Sequence, residues 1–450
     1  MQGILENFNT QLPEVAWPRF LPPYGASLLA MVYQLEKSPY FSGEWQRQQQ
    51  LRQASQLLRH AWNTVPYYRE TIPRECLAPE LSWETWRRVP VLPRKEVQQA
   101  GDALISRKLP AGHGELRKVS TSGSTGMPVT CYGTDVTHLV WMASSLMEHF
   151  WHRRDVSCRH LTIRPIDKLQ PGEISRSETW APPVRTGPSV VASVRADIGF
   201  QLQVLQRENP GYLLSLPSNL RALAEACRQE GVSLPGLKGV RSYGEVLTPE
   251  IRQYCEETWG GVMTDVYSSQ EVGNLALQCP EGQLHVFTDG VLLELLREDG
   301  TPCEPGETGQ VVVTTLVNFG CPLIRYALGD YAELGEGCTC GRNTPVLKQV
   351  HGRQRNMLHL PGGGRSWPSF PASVLVGDLP ISQFQLIQKS LDTIAVRLVV
   401  TRPLTSPEEE RLVATVQDRL SYPFRVVFAY VAEIPRSKSG KFEDFMSEVG

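Results

Sequence analysis

Lys118-Val-Ser-Thr-Ser-Gly-Ser-Thr-Gly-Met-Pro128 is the most informative stretch of this chain. Its seven central positions, Ser120, Thr121, Ser122, Gly123, Ser124, Thr125 and Gly126, hold five hydroxyl residues and two glycines. Small side chains allow close backbone approach, and consecutive N–H and hydroxyl donors can turn inward around phosphate oxygens. The run differs from the Gly-x4-Gly-Lys-Ser/Thr loop of mononucleotide-binding enzymes, because Met127 follows the second glycine where that loop has lysine. On its own it fits a flexible loop as well as a phosphate cradle.

Working outward, short strands flank the run and residues 135–150 read as a helix. Upstream, residues 43–62 place Leu51, Leu57, Leu58 and Trp62 among polar residues, an amphipathic helix that Pro66 stops. Between 190 and 290, helical stretches alternate with short apolar runs, the pattern of α/β layers with mixed or parallel sheets. Beyond residue 285 the chain turns strand-rich, and the polar segment around His351 to Asn356 reads as a linker. A strand–helix–strand set then closes the chain. The expected fold is α/β: a large N-terminal domain of mixed sheets with helices (1–351) and a small mobile α+β domain (352–450).

Four further segments change the meaning of the first. Tyr267-Ser-Ser-Gln-Glu271 ends a short strand, Arg325-Tyr-Ala-Leu-Gly-Asp330 follows another, Gly352-Arg353 opens the linker, and Pro435-Arg-Ser-Lys-Ser-Gly-Lys441 lies near the end. In this order the five motifs resemble the adenylate-forming superfamily of acyl-CoA synthetases, amide-forming synthetases and adenylation domains. Within it the chain is most similar to the phenylacetate–CoA ligase family, from about residue 45 to 445. The resemblance implies ATP-dependent conversion of a carboxylic acid, aryl or arylacetic, into an acyl-adenylate, then transfer to coenzyme A. It implies that the Ser/Thr/Gly loop holds the ATP phosphates and Glu271 sits near Mg²⁺, a hard cation that favours carboxylate oxygen. Tyr267 would stack on adenine, Asp330 would bind the ribose hydroxyls, and Arg353 would fix ribose or phosphate. Gly244 and Glu245 match the segment bordering the adenine site. Lys441 is the implied catalytic residue, its ammonium stabilising charge between two anionic groups that repel.

This sequence departs from the family pattern at three places. Met127 stands where lysine is frequent, the tyrosine motif lacks its usual glycine, and the hinge reads Gln354-Arg355-Asn356 where an Asp pair is usual. Asn tolerates unusual φ/ψ, so Asn356 remains the expected hinge. Transfer of the same adenylate to a carrier-protein thiol or an amine is the alternative these departures leave open. A remoter one is an inactive nucleotide-binding scaffold. The acid pocket is expected between helix 135–150, the segment around Tyr243, and the residues after Glu271, with Phe150, Trp151 and Tyr243 as lining. His149 and His152 read as pocket-facing or solvated.

A second constellation is Cys279 and His285 with Cys338 and Cys340. Three thiolates and an imidazole would close a tetrahedral Zn²⁺ site with no open position, hence a structural one. Cys76, Cys131, Cys158, Cys227, Cys255 and Cys303 read as buried or semi-buried thiols, and ten cysteines in 450 residues are too sparse for a disulfide scaffold. Lys plus Arg number 45 against 47 Asp plus Glu, a formal charge of -2, which gives no footprint of a nucleic-acid or membrane-surface binder. With no signal-peptide pattern and no apolar run near 18 residues, the expectation is a soluble cytoplasmic protein, monomer or homodimer.

Overall fold

The computed structural model describes residues 7–15, 17–78, 80–120, 129–166, 168–182, 184–368, 370, 375, 379–437 and 440–449. The phosphate-loop residues Thr121 to Gly126 lie outside these, as do Lys438 and Ser439. What brackets the loop is a two-stranded antiparallel ribbon, Arg117–Ser120 against Thr130–Gly133, with Ser120 opposite Thr130.

A 13-stranded sheet organises the large domain. Its first part is parallel: Ser189–Ser193, His160–Arg164, Tyr212–Ser215, Gly239–Tyr243 and Val262–Ser269 lie side by side in that order. Helices Ile198–Glu208, Pro217–Glu230 and Pro249–Trp259 connect these strands. Leu202, Leu205, Leu220, Leu223 and Cys255 bury one sheet face with Leu161, Ile163, Leu213 and Val240. Helix Asp135–Trp151 packs against helix Pro23–Lys37 through Leu28, Val32, Ala143, Leu146 and Met147. Thr134 caps it by accepting from the Thr137 N–H, and Thr137 Oγ1 accepts from the Thr134 N–H in return.

Beyond Val262–Ser269 the sheet becomes antiparallel, through Gly273–Gln278, Leu284–Val286, Val346–Arg353, Tyr326–Leu334, Thr308–Thr315 and Val291–Leu296. This is the strand-rich half expected after residue 285. Helix Gly43–Thr64 lays Ala54, Leu57, Leu58 and Ala61 on this part, and Pro66 opens a further short helix, Pro66–Thr71.

Strand Val346–Arg353 runs through the expected boundary at 351, and the turn Gln354–Asn356 follows it. The small domain pairs Arg425–Tyr430, Thr393–Val400, Ile381–Ser390 and Phe445–Ser447, with helix Ser406–Leu420 packed on them. Among the described residues no helix is long and apolar enough to cross a membrane.

Candidate functional site

The parallel strands all end on one side, and a cleft of about 1740 Å³ opens there beneath the small domain. Ligand sites of open α/β sheets form outside these carboxyl ends. Strand Gly239–Tyr243 runs into Gly244, whose φ is +79°. A Cβ here would stand 3.2 Å from Leu216 Cδ2 and 3.7 Å from Lys441 Cε, so the position needs glycine for backbone and space alike.

Lys441 reaches this point from the small domain. Gly440, at φ +74°, passes so close to the large domain that a Cβ would fall 2.8 Å from both Pro165 Cγ and Val194 Cγ1. The turn is closed by Gly440 N–H to Ser437 O at 2.8 Å and Lys441 N–H to Ser437 Oγ at 3.1 Å. Burial and the Arg353 guanidinium push the Lys441 ammonium below its ordinary value, while Asp330, Glu245 and Glu271 oppose them.

Glu245 supplies the interdomain tie. Its Oε2 accepts from Ser218 N–H at 2.9 Å, and its Oε1 accepts from Ser218 Oγ at 3.1 Å and from Phe442 N–H at 2.7 Å. Arg436 Nη1 donates to Ser218 Oγ at 2.7 Å and to Gly440 O at 3.1 Å. Burial raises the Glu245 carboxyl, although these N–H donors and Arg436 favour its charge. Sequence reading puts Glu245 beside adenine; in the structure its oxygens fasten the residue that follows Lys441.

Tyr267, Glu271, Asp330, Arg353 and Asn356 gather around the same mouth. Tyr267 O–H donates to Asp330 Oδ2 at 2.9 Å, and Arg353, opposite Asp330 in the strand register, brings its Nε within 3.8 Å of Oδ1. Glu271 Oε1 accepts from Arg94 Nη1 at 2.7 Å and from Tyr326 O–H at 3.2 Å. Arg94 was not foreseen. It lies in a Pro-punctuated segment with no local signal, and only the pairing of Leu92–Pro93 with Tyr326–Ala327 carries it there. Asn356 donates from Nδ2 to Phe445 O at 2.7 Å, and Arg355 pairs with Glu443, so the turn at the domain junction is tied to the small domain.

The acid-pocket expectation needs correction. Tyr243 lines the cleft, but Phe150 and Trp151 do not. Helix periodicity explains it: Trp141, Ser145 and His149, spaced by four, share the cleft-facing side. Phe150 packs against the buried cluster beneath the helix. Trp151 stands edge-on to His285 at 6.4 Å, with the Arg342 guanidinium 3.9 Å from its ring.

That side of the domain carries the Cys/His constellation. Cys279, His285, Cys338 and Cys340 place one ligand atom each within 4.8 Å of all the others. Zn–S bonds of about 2.3 Å in a tetrahedron put sulfurs about 3.8 Å apart. Here Cys279 Sγ and Cys338 Sγ are 3.7 Å apart, and Cys340 Sγ is 3.3 Å from His285 Nε2. His285 Nδ1 is held by Thr344 Oγ1 at 2.9 Å, the outer contact that orients a ligating imidazole. The donor set and its spacing fit a closed, four-ligand zinc site.

Comparison with known proteins gives three kinds of likeness. Residues 373–448 match the CapK C-terminal domain family. Over 271 residues the chain is 27% identical to phenylacetate-coenzyme A ligase of Thermus thermophilus, covering 54% of this chain. It spans 61% of that relative's length. It is 19% identical to Protein CapK of Staphylococcus aureus across 83% of both chains. In fold it is similar to crystalline 2-hydroxyisobutyryl-CoA ligase in the postadenylation state with 2-HIB-AMP, at a TM-score of 0.72. That alignment has 18% identity and covers 91% of this chain and 90% of the other.

Proposed function

Because the chain is phenylacetate–CoA ligase-like in sequence and has the adenylate-forming fold, we propose that it activates a carboxylic acid with ATP. The observation that carries this reading is Lys441, half-buried at the strand ends and facing Asp330, Glu245, Glu271 and Arg353. An acid carboxylate attacks the α-phosphorus, a C–O–P linkage forms, and the bond to the leaving pyrophosphate breaks. Both reactants are anionic. A desolvated ammonium aimed between them stabilises charge on the entering and bridging oxygens where water cannot screen it.

The other residues bind and orient. Tyr267 offers its ring to adenine while its hydroxyl steadies Asp330, whose carboxylate suits ribose hydroxyls. Ser120, Thr121, Ser122, Gly123, Ser124, Thr125 and Gly126 surround the phosphates in this reading. Both hydrogen bonds to Glu271 land on Oε1, and the carboxylate would hold Mg²⁺, which when bound neutralises phosphate charge. Zinc at Cys279, His285, Cys338 and Cys340 would be structural. After adenylation the small domain turns about Asn356, the coenzyme A thiol loses its proton and attacks the acyl carbon, the C–S bond forms, and the C–O bond to the phosphate breaks to release AMP. The second reading keeps adenylation and gives the acyl group to a carrier-protein thiol or an amine. It is favoured by the altered hinge, Gln354-Arg355-Asn356, and by Met127 after the Ser/Thr/Gly loop.

The test is acid-dependent pyrophosphate release from Mg·ATP across aryl, arylacetic, aliphatic and amino acids, with hydroxylamine as trap. A thioester with coenzyme A supports the first reading, and hydroxamate alone moves the acceptor to a carrier or amine. ATP binding with no acid-dependent turnover across the panel would count against the enzyme reading.

A further inference from the structure

Below the mouth the cleft changes character. Arg241 and Tyr243 alternate onto the same face of strand Gly239–Tyr243, and His160 and Thr162 do so on strand His160–Arg164. At roughly 3.3 Å per residue, Arg241 lies about 7 Å deeper than Tyr243. The register sets His160 one further level down, beside Tyr212 and thence Gly239. This is a depth that an aryl group fills when its reacting carboxylate is at the mouth.

The floor holds a buried charge that the protein does not balance. Glu148 is fully buried; Arg154 Nη1 donates to both its oxygens at 2.7 Å, and Arg241 Nη2 lies 2.8 Å from Oε2. Two guanidiniums share that one carboxylate. His149 and His160 stay neutral, held below their ordinary values by burial and then by Arg241. The rings of His149, His160 and Trp180 form a triangle with centroids 4.8 to 5.0 Å apart.

Four polar atoms of this floor, Arg241 Nε, His149 Nδ1, His160 Nε2 and Trp180 Nε1, are buried without a hydrogen-bond partner. His149 Nε2 faces Arg241 Nη1 at 3.3 Å and accepts from it, which leaves Nδ1 as the protonated donor. Buried polar groups are nearly always paired in folded proteins. The Arg241 Nε–H and Trp180 Nε1–H, donors beside a surplus positive charge, therefore mark the place of an anionic acceptor. Water would satisfy donors but not the charge, and an unsubstituted ring would press C–H groups against them.

We propose that the acid taken by this cleft carries a second carboxylate at its far end, received by Arg241 and Trp180. A single surplus charge suits one carboxylate better than a dianionic phosphate. The proposal rests on the acid-activating reading and names its substrate class.

The experiment uses acids differing only by a ring carboxylate: phenylacetate against 3- and 4-carboxyphenylacetate, and benzoate against isophthalate and terephthalate. Pyrophosphate release and calorimetric binding are both read on the full chain with Mg·ATP. The diacid of at least one pair is expected to exceed its parent by a hundredfold or more in kcat/KM. Arg241→Gln should erase that ratio. Trp180→Phe, which keeps an aromatic ring and spares the ion pairs, should cut it about tenfold. Parents preferred in every pair, or a ratio unmoved in both variants, overturns the proposal. If no acid releases pyrophosphate, diacid binding lost in the variants upholds the pocket while the activation reading falls. Absence of diacid binding overturns the pocket as well.

Discussion

The mouth and the floor of the cleft are built from the same residue types and are finished differently. At the mouth Tyr267, Asp330 and Arg353 hold one another, Arg94 and Tyr326 hold Glu271, and Ser218, Phe442 and Arg436 hold Glu245, with Arg94 Nε the one buried atom of these groups that lacks a partner. On the floor, Arg154 and Arg241 divide a single Glu148, and four polar atoms have no partner. In a low-dielectric setting a satisfied network is rigid, and an unsatisfied one is costly until something completes it. The mouth is thus prepared for chemistry that does not vary with the acid. The floor is left for the acid to finish.

The comparison breaks first at Lys441. Lys441→Ala should lower the adenylation rate by about 10²–10³, the effect of removing one transition-state donor, in a chain that still folds. Undiminished adenylation would show that the mouth is assembled for something else. The same residue sets a pH limb. Burial and Arg353 hold its ammonium below the ordinary 10.5, and the charged form is the useful one. Activity of the free enzyme, read as kcat/KM, should therefore decline at a pH below that value, and a profile flat up to it would contradict the burial.

Glu245 comes next. Glu245→Ala strips acceptors from the Ser218 and Phe442 N–H groups, at about 1–3 kcal/mol for a buried donor left unpaired. Displacement of Lys441 should cost roughly tenfold to a hundredfold in kcat, KM for ATP changing little. Glu245→Gln, which keeps an oxygen, should recover most of the loss. If the two variants behave alike, or kcat stands while the melting temperature falls, Glu245 is only a structural tie.

Much of this mouth was legible in the sequence because its residues lie within short ordered motifs. Tyr267 and Glu271 share one strand end, Asp330 follows a strand, and Lys441 comes after a glycine that fits only a tight turn. The clustering of Cys279, His285, Cys338 and Cys340 was legible from residue type alone. The floor was not, since Glu148, Arg154, His160, Trp180 and Arg241 come from separate elements, and only the sheet register brings them together. Phe150 and Trp151 went astray by one helical step, because a window that identifies a helix does not fix which residues face a cleft still unseen. Arg94 depends on a two-residue strand pairing with a partner far along the chain, which no local pattern encodes.

The Cys/His knot offers a control remote from both ends of the cleft. Elemental analysis should find close to one zinc per chain, lost with Cys338→Ser or a strong chelator. The melting temperature should then drop, at roughly 1–1.5 °C per kcal/mol for a unit of this size, while adenylation measured well below it changes less than about threefold. Metal-free protein of unchanged stability would remove the structural role. A large loss of rate at full stability would mean that the knot reaches the cleft through Trp151, which packs beside it.

The smallest effect is expected where the mouth is tied more than once. Tyr267→Phe keeps the ring proposed to face adenine and deletes only the hydroxyl that donates to Asp330 at 2.9 Å. A hydrogen bond of this kind contributes about 0.5–1.5 kcal/mol net, so KM for ATP should rise roughly twofold to tenfold with kcat nearly unchanged. The loss stays small because Asp330 keeps its place in the strand register opposite Arg353, whose charge still faces it. At the floor, Trp180→Phe also deletes a single N–H donor, but one that only the substrate can satisfy, so its effect should depend on the acid. A Tyr267→Phe loss of a hundredfold, equal for every acid, would mean that Asp330 hangs on one hydroxyl and that the mouth is no better secured than the floor.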